Sequence, residues 1–385
     1  MTTKALLGLA AVSLCFVATG AAADTVDCVA TRCPEIAVRG DAPAQGRASG
    51  YADPSLAHVP GRTRLWMVYS WPHFRETGPR GAVGVDTHLA YSDSSGASWR
   101  LAGALWTAEP APDPVSGAPT HFNTETVTLE ATRGRRAGDG DRWFVARTRY
   151  AINPLTGLLR PETYEIRVSA ARNPRALGGA PFVSLGARSP FNRVDVDLTR
   201  FAPELRGCAL SNPALEALGA DLFLALQCQR YLAGRTRDLE REVVALFSTR
   251  PDGPPSSWKW RYRGTLGTRA DAEALGGDVL QAVELTRSRS GGVLAIFTVA
   301  RDSEASFDDH LGCAVVPVAS LAKARLVRMG GGPKTIAWVR ASDLDPLGPG
   351  TCGYDASSRT GVVLARRSLT GGRLTTSLHA TGLRP

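Results

Sequence analysis

Short apolar or alternating runs recur along the whole chain, separated by glycine, proline, aspartate and serine. Helical periodicity is nearly absent, and Leu215–Leu218 and Ser320–Arg325 are too short to predict helices. An all-β chain of this length without a parallel-sheet pattern indicates a β-propeller or a pair of β-sandwiches. The pattern predicts strands at Leu65–Ser70, Thr87–Ser92, Thr126–Ala131, Trp143–Arg149, Tyr164–Ala170, Leu222–Gln227, Val243–Ser248, Val293–Ala300, Gly312–Pro317, Gly361–Arg366 and Leu374–Leu378.

Internal repetition favours the propeller. Several segments share one order: a polar or acidic residue, a turn containing glycine, and then an apolar strand. The polar positions recur at intervals of roughly 70–90 residues, at Asp53, Glu125, Asn212, Glu284 and Asp355. We therefore predict an all-β fold, a β-propeller of five blades with four-stranded antiparallel sheets, over residues 50–385. Six blades remain the alternative.

The first residues have the features of a secretory signal peptide. Lys4 supplies a positive charge, Ala5–Val17 is apolar, and Ala21–Ala23 provides small residues before Asp24. We predict a signal peptide over residues 1–23 and an N-terminal extension over residues 24–49. The apolar run is too short to span a bilayer. The expected product is a monomer without membrane insertion, periplasmic or secreted.

Six cysteines follow the predicted signal peptide. An even number in an oxidising compartment predicts disulfides, although six cysteines allow 15 pairings. Buried free thiols are the alternative. Nearest neighbours in sequence would give Cys28–Cys33, Cys208–Cys228 and Cys313–Cys352.

The net charge is +9, carried mainly by arginines that are spread along the chain. Because the positive residues do not cluster, a nucleic-acid partner is not expected. No histidine or cysteine spacing predicts a metal site, and no phosphate loop or nucleotide fingerprint is present, so neither a metal nor another cofactor is predicted. The acidic pairs Asp139/Asp141 and Asp343/Asp345 fit no calcium-loop template and are predicted to be loop carboxylates.

The segment Ser92–Trp99 resembles the Asp-box, or bacterial neuraminidase repeat, of sialidases. Alignment on Gly96 and Trp99 places Ser94 at the acidic position, with Asp93 beside it. Ser248–Trp258 is a looser variant with an insertion. The resemblance implies a turn between two outer strands whose side chains bond turn amides and whose tryptophan packs between blades. These turns identify the architecture and carry no catalytic group.

A second resemblance concerns Tyr51–Ser55 and the strand after it, which are similar to the first blade of five-bladed arabinanase, xylosidase and fructosidase-type hydrolases. In those families the aspartate of this motif is a general base or nucleophile at the propeller mouth, and Asp53 matches it. The segment Cys352–Asp355 is in turn similar to the last-blade segment that carries the nucleophilic tyrosine of sialidases, which would be Tyr354. The Arg-Ile-Pro motif of sialidases is missing, and Ala52-Asp53-Pro54 stands in its place.

Glycoside hydrolysis needs two ionisable groups that flank the scissile bond. In a propeller the first strand of each blade faces the axis, so Asp53, Glu125, Glu284 and Asp355 would share one funnel, with Tyr354 beside them. In the arabinanase-like interpretation Asp53 is the base, and Glu125 or Glu284 is the acid.

The sialidase-like interpretation assigns the same positions differently. Tyr354 attacks the sugar, a glutamate polarises it, and Asp53 donates the proton. Arg147, Arg149 and Asp355 would then contact the substrate, because arginine suits bidentate recognition of a carboxylate.

Each candidate also has a purely structural interpretation. Asp53 could initiate a turn before Pro54, and Glu125 could be a solvent-facing strand residue. Glu284 could pair with Arg287, and Tyr354 could pack on a disulfide. The prediction is an exported, sialidase-like glycoside hydrolase that acts on a glycan through carboxylates at the propeller mouth. The alternative is a non-catalytic propeller that binds a glycan or a protein.

Overall fold

The computed structural model describes residues 23–46, 48–74, 83–134, 140–231, 237–301, 309–341 and 349–385. Residues 1–22 of the predicted signal peptide lie outside these ranges, as do Asp139 and the pair Asp343/Asp345. None of the helices within the described ranges is long and apolar enough to cross a membrane.

Most of the regular secondary structure in the described chain is β-strand. Three short ones come first: β1 (Asp24–Asp27), β2 (Val38–Arg39) and β3 (Ala48–Gly50). Blade 1 contains β4 (Ala52–His58), β5 (Leu65–Phe74), β6 (Val83–Ser92) and β7 (Trp99–Trp106). Blade 2 contains β8 (Glu109–Pro112), β9 (Pro119–Thr132), β10 (Arg142–Ala151), β11 (Glu165–Ala171), β12 (Phe182–Gly186) and β13 (Val196–Asp197). Blade 3 contains β14 (Ala209–Leu218), β15 (Asp221–Gln229), β16 (Val243–Thr249) and β17 (Arg261–Thr268).

The remaining strands form two further blades. Blade 4 contains β18 (Val279–Arg287), β19 (Val293–Arg301), β20 (Asp309–Ser320), β21 (Arg325–Leu326), β22 (Arg328–Met329), β23 (Gly332–Pro333) and β24 (Ala337–Arg340). Blade 5 contains β25 (Pro349–Gly353), β26 (Val363–Thr370) and β27 (Arg373–Ala380). The α-helix α1 covers Arg269–Ala274, and 3-10 turns cover Pro161–Thr163, Pro174–Gly179, Leu198–Arg200, Pro203–Leu205, Leu239–Arg241, Pro255–Ser257 and Leu321–Lys323.

Strand pairing confirms the predicted all-β propeller. The main strands of each blade pair antiparallel in chain order, from β4, β9, β14, β18 and β25 outwards. Between blades 5 and 1, β3 pairs with both β27 and β5. The strands β1 and β2 add parallel edges to blades 4 and 1. The strands β1, β2 and β3 are therefore part of the propeller sheets, and β3 links blade 1 to blade 5.

The core lies between the blades because alternate residues of a strand point to opposite faces of the sheet. On β10, Val145 packs with residues of blade 1, whereas Phe144 and Ala146 pack with residues of blade 3. Burying both faces of each sheet explains why the central strands are nearly continuous apolar runs. The strands predicted from the sequence are the ones that contain these apolar runs.

All three predicted disulfides are present. Cys28–Cys33 closes a turn near the start of the described chain. Cys208–Cys228 lies within blade 3, and Cys313–Cys352 joins blade 4 to blade 5. The last bond fixes β25, an inner strand that reaches the axis.

The turn at Ser92–Trp99 joins the outer strands β6 and β7, as predicted. Ser92 Oγ accepts hydrogen bonds from the backbone amides of Ser94 and Gly96, at 3.2 and 2.8 Å. Trp99 is buried among residues of blades 1 and 5. Asp93 pairs at the surface with Arg64, so this turn contributes to packing and has no group near the axis.

Candidate active site

Every inner strand carries a β-bulge at the same level of the axis. Two residues oppose one on the neighbouring strand, or one residue is left unpaired, and the ladder shifts at each place. The bulged residues are Asp53–Pro54 in β4, Thr126–Val127 in β9, Asn212–Pro213 in β14, Gln281 in β18 and Gly350–Thr351 in β25. Bulges re-aim side chains and are common beside active sites.

Three of the bulges place a non-glycine residue in the left-handed region. The φ angles of Asp53, Thr126 and Asn212 are 48°, 49° and 49°. This conformation is strained for a side chain other than glycine, particularly for a β-branched one such as threonine. The same strain at the same level of three blades marks a feature that the surrounding structure enforces.

Hydroxyl groups of the preceding blade hold two of these bulges. Thr126 N donates to Ser70 Oγ of blade 1 at 3.1 Å, and Asn212 N donates to Thr148 Oγ1 of blade 2 at 3.2 Å. Thr148 also accepts from the hydroxyl of Thr126 at 2.8 Å. These bonds satisfy amides that the bulge removes from the strand ladder, and they connect neighbouring blades around the axis.

The bulges surround an axial cavity of about 350 Å³, which includes space open to solvent. It is lined from all five inner strands, by residues that include Asp53, Thr126, Asn212, Glu284 and Thr351. The cavity is concave and opens to solvent, and such clefts are where small ligands commonly bind. We call Asp53, Glu125, Thr126, Asn212 and Thr351, which lie at or beside the bulges, the mouth layer.

Asp53 is held by several neutral donors. Thr351 Oγ1 donates to its carboxylate at 3.0 Å, and the hydroxyl of Ser70 and the amide of Thr126 bond it as well. Burial raises the pKa of the Asp53 carboxyl, and these hydrogen bonds and the charge of Arg367 oppose that rise. Burial outweighs these contributions, so the net shift of the Asp53 pKa is upward, while the hydrogen bonds hold its carboxyl group in place inside the cavity.

Glu125 comes directly before the bulge of β9 and is half-buried. Burial, followed by the negative charge of Asp53, raises the pKa of Glu125 to about 7, and a hydrogen bond with Tyr150 opposes the rise. Burial and the charge of Asp53 thus both favour the protonated form of Glu125.

Glu284 also lines the cavity, but it lies deeper. Its carboxyl accepts a hydrogen bond from Ser55 Oγ at 2.7 Å, and it is buried. Burial raises its pKa well above the ordinary value, and the charge of Glu216 adds to the effect. The sequence raised a possible ion pair between Glu284 and Arg287, but Arg287 Nε donates to Glu216 instead, at 2.7 Å.

Asp355 lies at the opposite end of the axis from Asp53. His58 Nδ1 is 2.7 Å from Asp355 Oδ1, and His58 follows Asp53 by five residues of β4, which corresponds to about 15 Å. Glu130 and Glu216 couple electrostatically to Asp355 and to Arg287. We call His58, Glu130, Glu216, Arg287 and Asp355 the base layer. The single funnel that the sequence predicted is thus two layers, and Asp355 is not in the layer of Asp53.

Tyr354 is fully buried in the apolar contact between blades 4 and 5. Its hydroxyl donates to the backbone oxygen of Pro385 at 3.3 Å, and burial raises its pKa. It therefore packs near the disulfide Cys313–Cys352, which agrees with the structural interpretation of this tyrosine.

Arg147 and Arg149 lie on β10, one strand away from Glu125. Thr148 stands between them and pairs with Glu125 in the register of β9 and β10. Since neighbours in a strand alternate, both arginines point to the opposite face of blade 2 from Thr148. They lie on the face toward blade 1, where Arg147 stacks on Trp106, and neither of them lines the axial cavity.

Sequence reasoning missed the groups that hold the catalytic candidates, namely Ser70, Tyr150 and Thr351. These are common strand residues without a distinctive motif. One signal was available, since Asp53-Pro54 and Asn212-Pro213 both place a polar residue before proline inside a predicted inner strand. Proline within such a strand indicates a bulge.

Comparison with protein-family models finds no match, and comparison with curated protein sequences finds none either. A solved structure described as a glycoside hydrolase aligns with a TM-score of 0.50 at 11% identity, over 90% of this chain and 91% of that chain. The GH43_1 enzyme from Xanthomonas citri complexed with xylose aligns with a TM-score of 0.47 at 13% identity, over 85% and 86% of the two chains. Zg3597, a family 117 glycoside hydrolase from Zobellia galactanivorans, gives 0.46 at 11% identity, over 86% and 85%. At 11% identity, the likeness to the first of these structures shows a shared fold.

Proposed function

We propose that the protein is a glycoside hydrolase whose mouth layer uses Asp53 as general base and Glu125 as general acid. The observation that carries the proposal is the pair of Asp53, which lines the axial cavity, and Glu125, which directly precedes the bulge that lines it and whose pKa is raised in part by the charge of Asp53. The solved structure that aligns with a TM-score of 0.50 is described as a glycoside hydrolase. The three disulfides suit an oxidising compartment, and we place the glycan substrate there, outside the cytoplasm.

Burial raises the pKa of both carboxyl groups, and the two groups differ in what their other neighbours add. Neutral donors stabilise the anion of Asp53, while burial and that anion keep a proton on Glu125 near pH 7. Glu125 would give its proton to the glycosidic oxygen as the bond to the anomeric carbon breaks. Asp53 would take a proton from the water that forms the new bond to that carbon. The products are a free sugar and an alcohol, and one proton transfer then restores both groups.

The proposal assigns no catalytic role to Glu284, Tyr354 or Asp355. Glu284 is buried below the mouth layer and is engaged by Ser55. A sialidase-type reaction would need the hydroxyl of Tyr354 exposed to substrate, whereas this hydroxyl is occupied by Pro385. Asp355 is paired with His58 in the base layer.

The test is a panel of chromogenic glycosides, including arabinofuranosides, xylosides, galactosides and a sialoside, assayed with wild type and Asp53→Asn. We expect hydrolysis of at least one neutral glycoside and a decrease in kcat of about 10³-fold in Asp53→Asn, because the general base is lost. Asp93→Asn is the matched control, since Asp93 lies in the surface turn next to Arg64, and it should leave turnover unchanged.

Two results would overturn the proposal. Equal turnover by wild type and Asp53→Asn would remove Asp53 from the mechanism. Binding of glycans without hydrolysis of any substrate in the panel would support the non-catalytic alternative. That alternative agrees with Asn212, which is not ionisable, at one of the five bulges.

A further inference from the structure

Three arginines gather on one face of blade 2, beside the mouth layer. Arg147 and Arg167 are direct partners across β10 and β11, and Arg149 follows two residues later on the same face. We call Arg147, Arg149 and Arg167 the arginine cluster. Like charges opposite each other in a sheet are unfavourable unless something compensates them.

Arg147 is the unusual member of the arginine cluster. It is 4% exposed, and its Nε and Nη1 atoms are buried without a hydrogen-bond partner in the described part of the chain. Its guanidinium lies over the ring of Trp106, 3.8 Å from the centroid. Burial, followed by the charge of Arg167, lowers the pKa of Arg147 to about 9. Burying unpaired donors of a cation is costly. A bound anion would lower this cost by accepting hydrogen bonds from them.

The nearby carboxylates serve the other two arginines. Glu109 accepts from Arg149 at 2.9 Å, and Glu165 accepts from Arg167 and lies 3.9 Å from Arg149. No ion pair of Arg147 occurs among the described residues. Three cations thus face two anions, and one positive charge is left over at a buried fork of hydrogen-bond donors.

The arginine cluster reaches the surface beneath an aromatic ring. Phe182 is 41% exposed, and its ring centroid is 4.4 Å from the guanidinium of Arg167 and 5.9 Å from that of Arg147. Arg167 remains partly exposed itself. An exposed ring beside unpaired guanidinium donors offers an apolar surface for a sugar face and a cationic site for an acidic substituent.

From this geometry we propose that the arginine cluster is a subsite for an anionic substituent, a carboxylate or a sulfate, on a sugar residue of the glycan. The identity of the larger ligand as a glycan rests on the proposed function. Arg147 stands opposite the bulge Thr126–Val127 of β9, and adjacent strands are about 4.8 Å apart. The arginine side chains lie on the face of blade 2 toward blade 1, whereas Glu125 shares the other face with Thr148. The subsite therefore adjoins the mouth layer, and the preferred substrate is an acidic polysaccharide or oligosaccharide.

Calorimetric titration of the full chain with matched sugars tests this inference. The probes are D-glucuronate against D-glucose, and D-galactose 6-sulfate against D-galactose. We expect at least one anionic sugar to bind more tightly than its neutral partner, with an affinity that falls as salt is raised. The Arg167→Gln variant should weaken that binding about 10-fold, which corresponds to one charge-assisted hydrogen bond. The pair that shows the preference tells carboxylate from sulfate.

Arg64→Gln is the matched control, because Arg64 is a surface arginine paired with Asp93 away from the cluster. Arg147→Lys, which keeps the charge and loses the planar fork, should weaken binding while the variant still folds. Equal affinity for anionic and neutral sugars, or an equal loss in Arg64→Gln, would overturn the inference. Tight glucuronate binding without hydrolysis of any glycoside would refute only the proposed function, whereas Asp53-dependent hydrolysis without an anionic preference would refute only the subsite.

Discussion

The two ends of the propeller axis use the same kind of residue in opposite ways. In the mouth layer, the carboxyl groups of Asp53 and Glu125 are bonded by the hydroxyls of Ser70, Thr351 and Tyr150. In the base layer, the carboxyl groups are bonded by cations. Arg287 holds Glu216, and His58 holds Asp355.

A raised pKa does not distinguish the two layers. Burial raises the pKa of Glu216 to about 7 despite Arg287, which is the same value as for Glu125 in the mouth layer. The difference lies in the partner, since an ion pair fixes a side chain and favours its charged form. A neutral donor leaves a carboxyl free to exchange its proton with a ligand. The mouth layer can therefore carry acid–base chemistry, whereas the base layer joins the ends of the inner strands.

The same substitution at the two ends should have very different effects on turnover. Glu125→Gln removes the proposed acid, and we expect kcat to fall about 10³-fold. The loss should be largest for glycosides with poor leaving groups, since these depend most on protonation of the glycosidic oxygen. Glu216→Gln should leave turnover close to wild type. Steady-state kinetics with a nitrophenyl and an alkyl glycoside measure both effects. Equal losses in the two variants would contradict the distinction between the layers.

Substitution in the base layer should affect the free energy of unfolding more than it affects turnover. Arg287→Gln leaves the buried Glu216 and Glu130 without their cation, and we expect a loss of about 2 kcal/mol at pH 8, below the value for a fully buried pair because Arg287 is 42% exposed. At pH 5 the loss should be smaller, because the pKa of Glu216 is about 7 and its carboxyl is then mostly protonated. Urea unfolding at the two pH values measures the difference.

Arg64→Gln is again the control, since its exposed pair with Asp93 should contribute less than about 1 kcal/mol. A loss in Arg287→Gln that does not depend on pH would show that packing of the arginine stem, and not its charge, stabilises the base layer.

The sequence predicted the parts of this comparison that depend on local pattern. Apolar runs predicted the central strands because both faces of each blade are buried. Nearest-neighbour order predicted the disulfides because each bond joins segments that are close in chain order, within one turn, within blade 3, or between the successive blades 4 and 5. The interval between Asp53 and Glu125 placed both residues on inner strands, and the structure has them at or directly before the bulges of β4 and β9.

The features that the sequence did not predict depend on strand register and on contacts between residues far apart in the chain. The sequence did not predict a strand at Leu215–Leu218, because the bulge at Asn212–Pro213 interrupts the alternation in β14. Glu216, which lies within this apolar run, was therefore not recognised as a candidate. The pair of His58 and Asp355 spans 297 residues, and no local pattern indicates such a contact. Without register, the carboxylates of the two layers could not be separated, and they were combined in one funnel.

The smallest expected effect is a change in the pKa of Glu125, and it tests whether the mouth layer acts as a coupled pair. The pKa of about 7 reflects burial and, in addition, the negative charge of Asp53. Since that charge favours the protonated form, Asp53→Asn should lower the pKa of Glu125, whereas Asp355→Asn in the base layer should not change it. Carbon NMR titration of the glutamate carboxyls, assigned with Glu125→Gln, measures both shifts. Because the folded chain holds this proton at pH values where the unfolded chain has released it, stability should fall as pH rises from the ordinary glutamate range to about 7. Asp53→Asn should lower the upper limit of this pH range, because it lowers the pKa of Glu125. An unchanged pKa in Asp53→Asn would mean that the two carboxyl groups do not share one space, and the proposed division into base and acid would then have to be abandoned.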